Sequence, residues 1–347
     1  MHLEERWRRE NTDRQEEPVG ASRTVELRRD SQQTLPAVSR VLVTGSAGLL
    51  GSALRSVVAR GGGALEVVFA TRSDADLSDP RATRDLLGRT RPDVIVHGAA
   101  RVGGIKANAA DQTGFLLDNL AIDTSLFRAA LDAGVERLVY LGSSCTYPRD
   151  HRQPLVETDL LQAPLEPTNE GYALAKLAGT RLCQFASAQH GVAYRALVAS
   201  NLYGPGDDFS TDRAHLVAAA IAKVHAAKVA GSPTVTIWGD GTARREFTYA
   251  GDVASWILGS LPRLELLPPV LNLGAGVDHS VTEYYEVARS VVGYEGEFVY
   301  DTSMPKGMHQ KLMDSSRARA LGWAPATSLA DGMLATYEKY VGSLVPA

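Results

Sequence analysis

The sequence predicts an α/β chain built on a doubly wound parallel sheet, with a smaller C-terminal substrate-binding lobe. Three observations predict it. Short apolar, β-branched runs alternate with helix-length segments from Arg40 to Ala199, as expected when crossover helices bury strands on both faces. Gly45, Gly48 and Gly51 stand between the first run and the first helix, where a phosphate-binding turn belongs. After Asn201 the density of Pro and Gly rises, which suits a lobe laid over the carboxyl edge of the sheet.

The elements follow in order. Val41-Leu42-Val43 is the first strand, and the segment from Gly45 to Gly51 opens an apolar-faced helix reaching about Arg60. Leu65 to Ala70 reads as the second strand, and Pro80 to Leu87 as a short helix with proline at its start. Val94-Ile95-Val96 is strand three, Gln112 to Ala133 a long helix and Leu138 to Leu141 strand four. A second long helix covers Gly171 to His190, followed by strand five at Ala193 to Ala199. Helices and short strands then mix over His215 to Lys228, Thr234 to Trp238, Val281 to Val292 and Glu297 to Tyr300. Residues 38–200, with returning segments, therefore read as a Rossmann-type dinucleotide-binding domain, and 201–347 mainly as the lobe. Residues 1–37, rich in Arg, Glu, Gln and Asp, read as a charged extension outside the fold.

Composition narrows the function classes. Of 347 residues, 44% are apolar and 22% charged, as in soluble globular proteins. A net charge of −4 gives no reason to expect a nucleic-acid partner. The two cysteines, Cys145 and Cys183, suit a reducing, cytoplasmic compartment better than a disulfide framework. Apolar stretches fall short of the roughly 18 residues that span a bilayer, so no membrane association is expected. No metal site is expected either.

The chemistry concentrates in two stretches. Ser143 and Cys145 follow the fourth strand, and Tyr172 and Lys176 stand one helical turn apart on a common face. A cation beside a phenol lowers its pKa from about 10 towards neutrality, so Tyr172 can exchange a proton with a carbonyl or alcohol oxygen that Ser143 also hydrogen-bonds. Cys145 is not needed for carbonyl reduction. The glycine turn, with Leu49 and Leu50 between Gly48 and Gly51, offers a dinucleotide pyrophosphate a close backbone and a helix N-terminus. Arg72, at the end of strand two, stands where an NAD site places an acid, and its guanidinium suits a 2′-phosphate. That favours NADP(H); Asp74 and Asp76 nearby keep NAD(H) open. His97-Gly98-Ala99-Ala100 closes strand three with small residues that let the cofactor lie close.

Five motifs carry a family resemblance: Ala100-Arg-Val-Gly-Gly-Ile105, Gly142-Ser-Ser-Cys-Thr-Tyr-Pro148, Glu166-Pro-Thr-Asn-Glu-Gly-Tyr172, Asn201-Leu-Tyr-Gly-Pro205 and Trp238-Gly-Asp-Gly-Thr-Ala-Arg-Arg-Glu-Phe247. From about Arg40 to Leu344 the chain resembles the GDP-L-fucose synthase family of extended short-chain dehydrogenase/reductases. The resemblance implies epimerisation of a GDP-4-keto-6-deoxy sugar at C3 and C5, followed by reduction of C4 with NADPH. It implies Cys145 and His215 as the epimerising acid/base pair, and Ser143, Tyr172 and Lys176 at the C4 oxygen. Tyr172 and Lys176 also meet the nicotinamide ribose, and Asp76 and Leu77 border the adenine. Nucleotide-sugar contacts implied are Val102, Gly103, Asn201, Lys223, Trp238, Arg245 and Lys311. Of the adjacent Arg244 and Arg245, the resemblance selects the second. A homodimer through the two long helices is implied as well.

The chain departs from the family pattern mainly around the sugar pocket. Gly171 replaces a usual Pro, Leu216-Val-Ala-Ala219 a Pro-bearing run, Gly206-Asp-Asp208 a more polar segment and Ala250-Gly251-Asp252 an acidic run. Ala47 stands where some members have Arg. These departures keep an alternative open: a non-reducing C3 and/or C5 epimerase of a nucleotide sugar, such as an ADP- or GDP-heptose, with tightly held NAD(P)+ oxidising C4 transiently.

Overall fold

The computed structural model describes residues 38–61, 65–210, 214–303 and 308–344; the charged extension expected at 1–37 lies outside them. In chain order the first half reads β1 (Arg40–Thr44), α1 (Leu49–Arg60), β2 (Glu66–Ala70), α2 (Pro80–Thr90), β3 (Val94–His97), α3 (Ile105–Ala110), α4 (Gln112–Asp132), β4 (Arg137–Ser143), α5 (Glu170–His190) and β5 (Ala193–Ala199). The second half reads β6 (Asn201–Tyr203), α6 (Leu216–Ala230), β7 (Thr234–Trp238), β8 (Arg244–Arg245), β9 (Phe247–Tyr249), α7 (Ala250–Ser260), β10 (Val270–Leu273), β11 (His279–Ser280), α8 (Val281–Val292), β12 (Glu297–Asp301), β13 (Gln310–Lys311), α9 (Ser316–Ala320) and α10 (Leu329–Leu344).

Six strands make the main sheet in the order β10-β5-β4-β3-β1-β2, and every pairing in it is parallel. Alternation along β1 divides the core. Leu42 joins Leu86, Ile95, Leu126, Tyr140 and Tyr194 under α2, α4 and α5. Val41 and Val43 face the other way, towards Leu54, Val253, Ile257, Leu271 and Trp323. Each such side chain, fully buried, contributes about 1.5–3 kcal/mol. The second layer is thus completed by residues far along the chain, from α7, β10 and the segment after α9. A third core, built around Ile221, Ile237, Phe247, Tyr284 and Met333, holds the lobe together.

Asn272 on β10 ties lobe to sheet. It is wholly buried, and its amide donates to Leu155 O (3.0 Å) and Asp314 O (3.1 Å) while Tyr147 OH donates to its oxygen (2.6 Å). These bonds flank the isolated parallel bridge between Leu155 and Met313, two residues beyond Lys311 in the chain.

Candidate active site

The strand ends converge on a cavity of about 1460 Å³ lying between sheet and lobe. Its cofactor half starts at the glycine turn. Gly45 has φ +70°, in the left-handed region, and an added Cβ would sit 2.6 Å from Ala99 N. A Cβ on Gly51 would sit 2.4 Å from Ser46 Cα. Gly48 is the N-cap residue of α1 and offers no side-chain cap, so the first-turn N–H groups face the cavity beside Leu49 and Leu50. The buried hydroxyl of Ser46 has no hydrogen-bond partner. A pyrophosphate fits this cradle, which supplies donors and excludes side chains. Arg72, Asp76, Leu77, Ala99 and Ala100 line the same half. Arg72 is open to solvent and its guanidinium lies 3.2 Å from Asp76. Asp76, also bonded by Ser78, is held below the usual carboxylate range, with Ser78 the largest cause.

At the centre, β4 delivers Ser143 and a single 3-10 turn, Ser144–Thr146, delivers Cys145. Ser143 Oγ accepts the Cys145 N–H at 3.2 Å, and the Ser143 hydroxyl is the influence that favours ionisation of Tyr172. The Cys145 thiol is free. Asn169 Nδ2 points at its Sγ at 3.2 Å, and Lys311 Nζ stands 3.9 Å away. Asn169 is the N-cap residue of α5 but makes no cap bond, and its Oδ1 is a buried acceptor without a partner. Across the cavity, His215 occupies the N-cap position of α6. Its ring surface opens into the cavity while protein encloses it, so desolvation pulls its pKa down and Asp208 opposes the shift.

Two expectations about the Tyr–Lys pair change. Tyr172 lines the cavity, but its pKa is pushed up, by burial first and by Cys145 second, against the Ser143 hydrogen bond. Lys176 does not lower it, because Lys176 lies behind the cavity wall. Only 2% exposed, it donates to Leu141 O at 3.0 Å and sits 4.5 Å over the Tyr140 ring.

The remaining cavity residues form a cationic, aromatic half. Strands β8 and β13 run parallel with Arg245 opposite Lys311, which brings two cations to one face. Arg244 turns away to Asp278 (2.9 Å) and Glu283 (3.4 Å). Burial pulls the Arg245 pKa down, partly offset by Glu166 and Cys145. Lys223 lies 4.8 Å over the Trp238 ring, itself 52% exposed, a cation–π pair with one face left open. Asn201 donates to Glu246 O at 3.2 Å. Val102 and Gly103 form a wall that Asn108 fixes through Gly103 O (2.7 Å) and Gly104 O (3.1 Å).

Sequence reasoning passed over two cavity residues. Asn169 stood inside a quoted motif, its polar side chain in an N-cap position being the available signal. Asp207 lines the cavity with Oδ2 buried and unpartnered, and burial pushes its pKa up to about 7. Among the described residues, no cluster of three or more His, Cys, Asp or Glu is arranged for a metal ion, and no helix is long and apolar enough to cross a membrane.

The cavity thus joins a glycine-turn cradle, a centre of thiol, hydroxyl and imidazole groups and a cationic floor. Comparison with known proteins agrees. The NAD dependent epimerase/dehydratase family matches residues 41–274. A GDP-L-fucose synthase of Azorhizobium caulinodans is 45% identical over 302 residues, covering 87% of this chain and 96% of that protein. The Escherichia coli GDP-L-fucose synthase is 38% identical over 314 residues, with coverage of 87% and 96%. Among solved structures, a GDP-mannoheptose C4 reductase from Campylobacter jejuni with NADP bound matches at TM-score 0.79 and 30% identity, covering 88% of this chain and 98% of that one. The chain belongs to the NAD-dependent epimerase/dehydratase family, in its GDP-L-fucose synthase group.

Proposed function

We propose that the protein is a nucleotide-sugar 3,5-epimerase/4-reductase acting on a GDP-linked 4-keto-6-deoxy sugar. One observation carries the reading: a free thiol flanked by amide and ammonium donors opens into the same cavity as the Ser143 and Tyr172 hydroxyls. Reduction alone would not call for that thiol. Hydrogens beside a ketone are acidic, so inversion at C3 and C5 needs one group to remove a proton and another to return it on the opposite face. Cys145 and His215, carried by different elements of the cavity wall, take those two roles. Arg245, Lys311 and Lys223 supply the positive charge a diphosphate requires.

Ser143 and Tyr172 bond the C4 oxygen, polarising the ketone for proton removal and later protonating the alkoxide. The raised pKa of Tyr172 keeps it a phenol, the form that donates. A nicotinamide dinucleotide, when bound, supplies the hydride for C4. Exposed Arg72 at the cavity rim supports NADP(H) over NAD(H) through its fit to a 2′-phosphate.

The reading includes a homodimer through α4 and α5. Leu117 on α4 is exposed, as are Leu174 and Phe185 on α5. The last two stand eleven residues apart, hence on one helix face. Light scattering should report a dimer for the native protein and a monomer for Leu174→Asp/Phe185→Asp.

Incubation with GDP-4-keto-6-deoxymannose and NADPH in deuterated water tests the activity. The expected result is NADPH consumption with deuterium at C3 and C5 of the product. If no 4-keto nucleotide sugar drains NADPH absorbance, the reading fails. Turnover of an unoxidised sugar without added NADPH would assign the non-reducing alternative instead.

A further inference from the structure

Behind Lys176 lies a polar cluster with no solvent contact. His97 and Tyr140 are 0% exposed and Asp123 is 1% exposed. Asp123 is the hub. His97 Nε2 lies 3.1 Å from its Oδ1, and Tyr140 OH donates to its Oδ2 at 2.6 Å. His97 Nδ1 in turn lies 2.7 Å from Thr44 Oγ1, the residue before the glycine turn. Burial pulls the His97 pKa down, so its imidazole is neutral near pH 7 and gives Asp123 a dipole, not a charge. A buried carboxylate bonded only by neutral groups calls for a cation. Lys176 supplies it without touching it: the ammonium sits 4.5 Å over the face of Tyr140, whose hydroxyl binds Asp123.

We propose that Asp123 and Tyr140 are positioning residues for Lys176, a carboxylate–phenol–ammonium stack that holds its side chain in place and keeps it charged inside the protein. The physics has two parts. A hydrogen bond from a phenol to a carboxylate pushes electron density into the ring, and a richer ring face attracts a cation more strongly. The carboxylate also acts on the ammonium through the low-dielectric core, where charges couple over longer distances than in water. Burial is the largest influence on Lys176 and favours the neutral amine; Asp123 is the largest influence opposing it. The other groups facing Lys176 are the Cys183 thiol on α5 and the neutral His97 on β3, with Arg195 of β5 beyond Cys183. Asp123 is the carboxylate among them. Even the backbone accommodates the stack. A Cβ on Gly179 would fall 2.3 Å from Tyr140 Oη, so α5 passes the phenol only because glycine stands there.

The test reads the lysine itself. Protein labelled at lysine 13Cε is titrated by NMR, with Lys176→Met locating the resonance. Asp123→Asn should lower the titration midpoint of Lys176 by about one pH unit or more. Tyr140→Phe keeps the ring but loses the hydroxyl, and should lower it less. Asp123→Glu should restore most of the native value. These midpoints are read on the lysine itself and do not rest on the proposed function. A Lys176 midpoint unchanged in Tyr140→Phe and Asp123→Asn, with only the melting temperature lowered, overturns the proposal and leaves the cluster as core filling. If Asp123→Asn does not fold, an unchanged midpoint in Tyr140→Phe overturns it alone. Shifted midpoints with no turnover of any 4-keto sugar would uphold the stack and refute the activity.

Discussion

Cys145 lies where an amide and an ammonium both point at sulfur. Replacing it with alanine should slow deuterium entry at C3 and C5 by about 10²–10⁴, the usual worth of a general acid/base. Mass spectrometry of the sugar after incubation in deuterated water measures this. Undiminished exchange in C145A would take the thiol out of the mechanism. Arg72 makes a separate case. Its guanidinium pairs with Asp76 at the cavity rim, and a 2′-phosphate would compete for it. Arg72→Ala should weaken NADPH binding by about 10–100-fold, since hydrogen bonds to charged groups are worth about 1.5–3 kcal/mol. NADH binding should hardly change in calorimetric titrations; equal losses for both cofactors would mean that Arg72 does not read the phosphate.

At the scale of elements, the turn between β1 and α1 predicts its own tolerance. A Cβ on Gly51 would collide with Ser46 backbone at 2.4 Å, whereas one on Gly48 would meet only Gly45 O, at 3.3 Å. Gly51→Ala should therefore cost about 1–3 kcal/mol, as overpacking does, and lose cofactor affinity because α1 must move. Gly48→Ala should melt within a few degrees of the native protein; thermal melts with and without NADPH check both. This turn was legible in the sequence because glycine spacing is local, as are the runs that became β1 to β5 and the two long helices. Less local features were not. β10 is only four residues long, follows two prolines and carries a buried Asn272, so nothing in its own pattern marks it as a strand of the main sheet. α7 and α10 hide behind interior glycines, which weaken a helix signal. The spacing of Tyr172 and Lys176 gave their common helix correctly. It could not tell that Lys176 turns inward to Tyr140, because that depends on a strand and a helix distant in sequence.

At the scale of the molecule, two buried carboxyl groups contribute a pH dependence opposite in sign to that of the carboxylates held below their usual range, such as Asp76 and Asp314. Burial raises Asp207 to about 7 and Glu246 to about 7. A carboxyl group raised on folding binds its proton more tightly in the native state, so its stabilising contribution is present at low pH and is lost as pH rises through about 7. Asp207→Asn should accordingly raise the melting temperature more at pH 8 than at pH 5. A larger gain at pH 5 would contradict the sign. His97 works the other way: lowered on folding by burial, it costs stability as pH falls through about 6.5, where the unfolded chain takes up the proton.

The sheet order also sets a timetable. β5 lies inside the sheet only because β10 seals its outer edge, and β10 begins some 70 residues later in the chain. At roughly 5–20 residues per second of synthesis, that edge stays open on the ribosome for about 4–14 seconds. During that interval the nascent chain presents a row of unpaired backbone groups, the template on which strands of other molecules add. The exposure is longest when translation is slowest, so the yield of soluble protein should depend on elongation speed between residues 199 and 270.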